Sequence, residues 1–164
     1  MTTDLLANRS RILATATLVL VVSMLLANVA YWIFPSALGS FMGGFNLTAL
    51  IGQLNVDVSL MPWWQAAGGI VLSSIPLLIL AKGLLALRSL FLAYGKGEYF
   101  SPESAGLLGK VGKSVLLWVL ASLLLTPVMS VWITFTRPVG ERMLSINFEP
   151  SHIVALFLSA SLMI

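Results

Sequence analysis

A chain with one histidine and no cysteine has few places to keep polar chemistry. His152 follows Glu149 and Glu141, so an imidazole and two carboxylates, residue types able to hold a metal or move a proton, fall in one stretch. A zinc site normally gathers three or four protein ligands. These three in a loop fall short of it, and His152 reads more simply as the start of an outer helix. Asp57 stands alone in an alternating stretch and is expected to face water. Without cysteine there is no disulfide, thiolate nucleophile or cysteine metal site. Gly95-Lys96-Gly97-Glu98 lacks the spacing and the following Ser or Thr of a phosphate-binding loop. No nucleophile elbow or zinc-protease helix occurs. Catalytic residues, cofactors and metals are therefore not expected, and the chain reads as a non-enzyme.

One cluster of charge is left. Arg88, Lys96, Glu98, Glu103 and Lys110 surround a strongly punctuated turn. Docking of a soluble partner is one use for it. The other is solvation and contact with anionic headgroups, each nearby basic residue contributing about 1 kcal/mol.

The elements that position this turn are apolar. Residues 12–34, 63–81 and 114–136 carry no formal charge. Each is close to the roughly 20 residues that a helix needs to cross a hydrocarbon core. Only 9% of the chain is charged, against about 25% in soluble domains, so there is too little polar surface for water. The net charge of +3 reflects basic residues flanking the apolar stretches, a mark of topology, and direct nucleic-acid binding is not expected. Arg9 and Arg11 precede the first stretch, and residues 35–62 hold no Lys or Arg. Lys82, Arg88, Lys96, Lys110 and Lys113 lie between the second and third stretches, and Arg137 and Arg142 follow the third. Basic residues concentrate on the cytoplasmic side of membrane proteins, which predicts a cytoplasmic N-terminus and central loop. Tyr31, Trp32, Trp63, Trp64 and Trp132 then fall at the outer interface, where amphipathic rings prefer to lie. The first apolar run is too long for a signal peptide and ends without a small-x-small cleavage site.

Leu84, Leu85, Leu87, Leu90, Phe91 and Tyr94 continue a helical pattern beyond Lys82, whose ammonium can snorkel to the headgroups. One long helix is expected to end at Gly95 and Gly97, where glycine tolerates the left-handed conformation. Ser101-Pro102-Glu103 starts the next helix with a cap, a first-turn proline and an acid at the positive dipole end. Pro76 and Pro127 sit inside crossings beside Ser73, Ser74, Ser122 and Thr126, whose hydroxyls can satisfy freed carbonyls. Each proline is either a hinge or an ordinary membrane-helix proline. The crossings hold no deep ionisable residue, which argues against an ion-coupled transporter acting alone.

Residues 53–60 and 144–149 alternate polar and apolar, the period of strands with one buried face. Two such strands could pair as a small outer β layer; irregular interfacial loops are the alternative. Ser151 is placed to cap a fourth helix. From Ile153 onward that helix is about 18 Å long, too short to cross, so the sequence is expected to be a piece of a longer chain; a re-entrant end protected by protein is the alternative.

Leu87-Arg88-Ser89-Leu90-Phe91, Tyr94, Lys96-Gly97-Glu98-Tyr99-Phe100-Ser101-Pro102-Glu103 and Leu107-Leu108 together resemble bacterial membrane proteins of the domain-of-unknown-function 2975 family. Those proteins have a Gly-Glu-x-Phe-x-Pro turn between their second and third crossings, and the likeness extends from about Arg11 to the end of the chain. It implies four transmembrane helices and, because members are often encoded beside a small helix-turn-helix regulator, a soluble regulatory partner. It implies no catalytic residues. The sequence departs from the family by ending inside the fourth helix.

The expected architecture is an all-α integral membrane protein. It is a single membrane domain of four helices crossing at about 12–34, 64–94 with a cytoplasmic extension, 112–136 and, in part, 152–164, with a short two-stranded β layer outside. The expected role is that of a non-enzymatic inner-membrane sensor or anchor acting through Arg88, Lys96, Glu98, Glu103 and Lys110. A small permease or transport-complex subunit, using a groove near Pro76 and Pro127, is the alternative. Membrane lipid is an expected partner, and association with a second copy stays open.

Overall fold

A computed structural model describes residues 2–35, 54, 57–98, 101–138, 144 and 150–163. Among these residues there are four α-helices: α1 (Thr2–Ile33), α2 (Trp63–Gly95), α3 (Pro102–Ile133) and α4 (Pro150–Met163). Residues 8–33 of α1, all of α2 and all of α3 are long and apolar enough to cross a membrane. Their outward side chains need an apolar solvent. Leu26, Val71 and Leu124 are 64%, 64% and 72% exposed, and contiguous apolar surface of this kind is not left facing water. The chain is a helical membrane protein.

At 33 residues, α2 is about 50 Å long, against a hydrocarbon core of about 30 Å. It runs through Lys82 without a break. Proline replaces a backbone donor inside α2 at Pro76 and inside α3 at Pro127, and both helices continue past it. Ser74 Oγ donates to the Ile70 carbonyl at 2.6 Å, and Thr126 Oγ1 to the Ser122 carbonyl at 2.7 Å. These are not the carbonyls that the prolines free, which belong to Leu72 and Leu123, four residues before each proline.

The described chain divides into two compact units, each built from parts of α1, α2 and α3. The first comprises residues 1–24, 77–119 and 149–164. Small residues let its helices approach closely, as is usual between membrane helices. Ser10 donates its hydroxyl hydrogen to the Phe91 carbonyl, tying α1 to α2. A Cβ on Gly83 would meet Ser114 Cβ at 2.7 Å, and one on Gly112 would meet the Ser159 carbonyl oxygen at 2.8 Å. α4 thereby packs on α3 with Ser159 fully buried. α4 begins at Pro150, so Ser151 lies in its first turn instead of capping it. Proline's fixed φ suits that first position.

The second unit comprises residues 25–76 and 120–148. Its core gathers Tyr31, Trp32, Leu54, Val58, Met129 and Ile133. There is no strand among the described residues, and the expected β layer is not supported. Val58–Leu60 is a 3-10 turn. Leu54 and Val58 are buried, whereas Leu60 is 83% exposed. A strand with one buried face would bury Leu60 with the other two, so burial four residues apart and then none is the spacing of a turn. Residues 53, 55, 56 and 145–149 lie outside the described residues.

Candidate functional site

The turn between α2 and α3 closes by backbone geometry. Gly97 has φ +90°, in the region where a side chain would crowd the backbone. Its N–H donates to the Tyr94 carbonyl at 3.1 Å, and the Glu98 N–H reaches back to the Ala93 carbonyl at 3.2 Å. This pair of bonds is the Schellman closure, which satisfies carbonyls that a helix end leaves open. Gly97 is thus the stop, and Gly95 remains within the helix.

α3 starts with equal definition. Ser101 Oγ accepts the Ser104 N–H at 3.1 Å, capping the first turn. Ser104, only 3% exposed, then donates its hydroxyl hydrogen to the Glu98 carbonyl at 2.7 Å. That bond ties the start of α3 to the stop of α2. Nothing in the sequence pattern singles out Ser104, because its role depends on where the Schellman closure aims the Glu98 carbonyl.

On this backbone Lys96, Glu98 and Glu103 flank the turn and are exposed. Lys110, also exposed, stands about 10 Å farther along α3. Arg88 differs from the other four. It is only partly exposed, and its Nε is enclosed without a hydrogen-bond partner among the described residues. Four of the five charged side chains are therefore exposed, and the fifth, Arg88, is exposed only in part.

A second polar cluster, in the second unit, was not foreseen. Gln65 is fully buried. Its Nε2 donates to the Trp132 and Ile133 carbonyls at 2.8 and 2.9 Å, and Trp132 Nε1 returns a bond to the Gln65 carbonyl at 2.9 Å. Trp132 lies against Gly68, where a Cβ would overlap the indole, and Trp64 meets the ring edge-on with centroids 5.9 Å apart. Trp32 lies against Gly69 in the same way and donates to Ser73 Oγ at 3.2 Å. Asn28 Nδ2 donates to Ser74 Oγ at 3.2 Å. Both serines pass the bond on to the Ile70 carbonyl.

The signal for this cluster was present: Asn28 and Gln65 are amides inside otherwise apolar runs, and Gly68-Gly69 is adjacent. Trp32 and Trp132, expected at the outer interface, pack inward on helix backbone. The cluster is hydrogen-bonded glue between helices.

His152 is buried in the first unit, while Glu141 and Glu149 lie outside the described residues. No group of three potential metal ligands occurs among the described residues. Asp57 is exposed, as expected. No family model, curated protein or solved structure matches this chain.

Proposed function

We propose that this is a non-enzymatic protein of the bacterial plasma membrane, with a cytoplasmic N-terminus, that anchors a soluble regulatory partner through the turn between α2 and α3. The observation that carries this reading is the turn itself. The helix ends on its two sides are closed by bonds of Gly97, Ser101 and Ser104, and Lys96, Glu98, Glu103 and Lys110 are exposed. Helix ends fixed in this way lower the ordering cost of binding. The lengths of α2 and α3 add support. Residues 82–95 and 102–113 continue α2 and α3 for about 20 Å past charge-free stretches that are themselves long enough to cross.

The inward orientation is supported by charge. Arg9, Arg11, Lys82, Arg88, Lys96, Lys110 and Lys113 all fall in the unit that bears the turn, and such an excess favours the cytoplasmic side. The likeness to the 2975 family points to a helix-turn-helix regulator as the partner class.

Affinity capture from solubilised membranes tests the anchor. A soluble protein retained by the intact chain and lost from the Lys96→Ala/Glu98→Ala double variant is the expected result. Absence of any soluble protein sensitive to that substitution removes the anchor reading.

A further inference from the structure

We infer that Lys82 of α2 and Lys113 of α3 together hold the phosphate of one anionic phospholipid over the seam between the two helices. The helices run antiparallel from the turn that joins them. Small residues bring them into contact again at Gly83 and Ser114, where a Cβ on the glycine would meet Ser114 Cβ at 2.7 Å. Lys82 immediately precedes the first of these positions and Lys113 the second. Successive residues of an α-helix are about 100° apart and rise about 1.5 Å. In antiparallel helices the residues that precede two facing positions therefore turn to the same side of the seam. Their Cα atoms differ in depth by only about 3 Å.

The occupant follows from charge and depth. Both lysines are exposed. Packed helix axes lie about 8–10 Å apart, and each ammonium rides on a flexible four-carbon stem, so the two can converge on one anion. Without it they repel each other. The acid carried by these two helices is Glu103, about 15 Å along α3 from Lys113. The charge-free stretches 63–81 and 114–136 begin beside the lysines, so their level is where headgroups meet hydrocarbon. One turn deeper on the same rows stand Leu78, 51% exposed, and Leu117, 44% exposed. A headgroup phosphate held by the lysines thus has its acyl chains on apolar side chains, which a free phosphate would not use. Basic side chains from neighbouring membrane helices are a known seat of anionic headgroups.

Two cations distant in sequence reach one level and one side only because Gly83 and Ser114 let α2 and α3 touch. Arg11 supplies an internal control: it is exposed and basic in the same compact unit, but stands on α1. The inference rests only on membrane insertion and stands or falls apart from the regulator-binding turn. Native mass spectrometry of the full chain released from nanodiscs of mixed phosphatidylglycerol and phosphatidylcholine reads the retained lipid.

One phosphatidylglycerol is expected on the intact protein. Its retention should fall several-fold in Lys82→Gln and in Lys113→Gln, persist in Lys82→Arg/Lys113→Arg, which keeps both charges, and stay unchanged in Arg11→Gln. Equal retention of phosphatidylcholine, an equal loss in Arg11→Gln, a loss in only one of the two single lysine variants, or full retention in Lys82→Gln/Lys113→Gln would each overturn the assignment. Displacement of the lipid by an equal amount of inorganic phosphate would mark a free-anion site and overturn it too.

Discussion

Gln65 shows how much one polar side chain can hold together inside an apolar helix. Its two donated bonds and the returned bond from Trp132 lock α2 to the end of α3. Interhelical hydrogen bonds in membranes contribute about 0.6 kcal/mol on average and up to about 2. Gln65→Leu is therefore expected to lower stability by about 1–2 kcal/mol, measured by reversible unfolding in mixed micelles. An unchanged midpoint would show that the bracket is energetically idle. Gly68 sits in the same contact. Gly68→Val should be more damaging than Gln65→Leu, because the Trp132 indole occupies the space the new side chain needs. The visible signs are a lower melting temperature and altered tryptophan fluorescence. These roles were half-legible: the amide and the glycines stood out in an apolar run, but their partners lie on another helix.

At the scale of elements, helix ends were the most readable features, because caps are local chemistry. Gly97 and Ser101 act where their residue types indicate. Gly97→Ala is expected to cost about 1 kcal/mol through its left-handed φ, and Ser101→Ala about 1 kcal/mol through the lost cap. Hydrogen exchange checks both: the Glu98 amide should lose protection in the first variant and the Ser104 amide in the second. Because Ser104 joins the two ends, the double variant should depart from additivity. The strand reading of residues 53–60 is unsupported for the opposite reason, Val58–Leu60 forming a 3-10 turn. A period of two in a short segment does not reveal which side chains find a core. Leu54 and Val58 found one beside Tyr31 and Trp32, and Leu60 did not.

For the whole molecule, the decisive quantity is the energy of keeping apolar helices out of water. The chain contains no cysteine, so single cysteines can report topology without background. A cysteine at position 96 or 98 should react with a membrane-impermeant maleimide in inverted vesicles and stay unlabelled in intact cells. A cysteine at position 63, where Trp63 is 82% exposed, should show the reverse pattern. Labelling of position 96 from outside would refute the cytoplasmic turn, and with it the anchoring of a cytoplasmic partner.

Sequence by itself determined that this is a helical membrane protein, where its long helices stop, and where its charge accumulates. Those properties follow from local composition: transfer free energy adds residue by residue, and caps act within one turn. Tertiary structure alone decided that Trp32 and Trp132 pack inward on Gly69 and Gly68, that Ser104 joins the two helix ends, that the Nε of Arg88 is enclosed, and that Val58–Leu60 curls into a turn. Each of these depends on which surface a distant part of the chain brings near, and residue spacing along one segment does not encode that proximity.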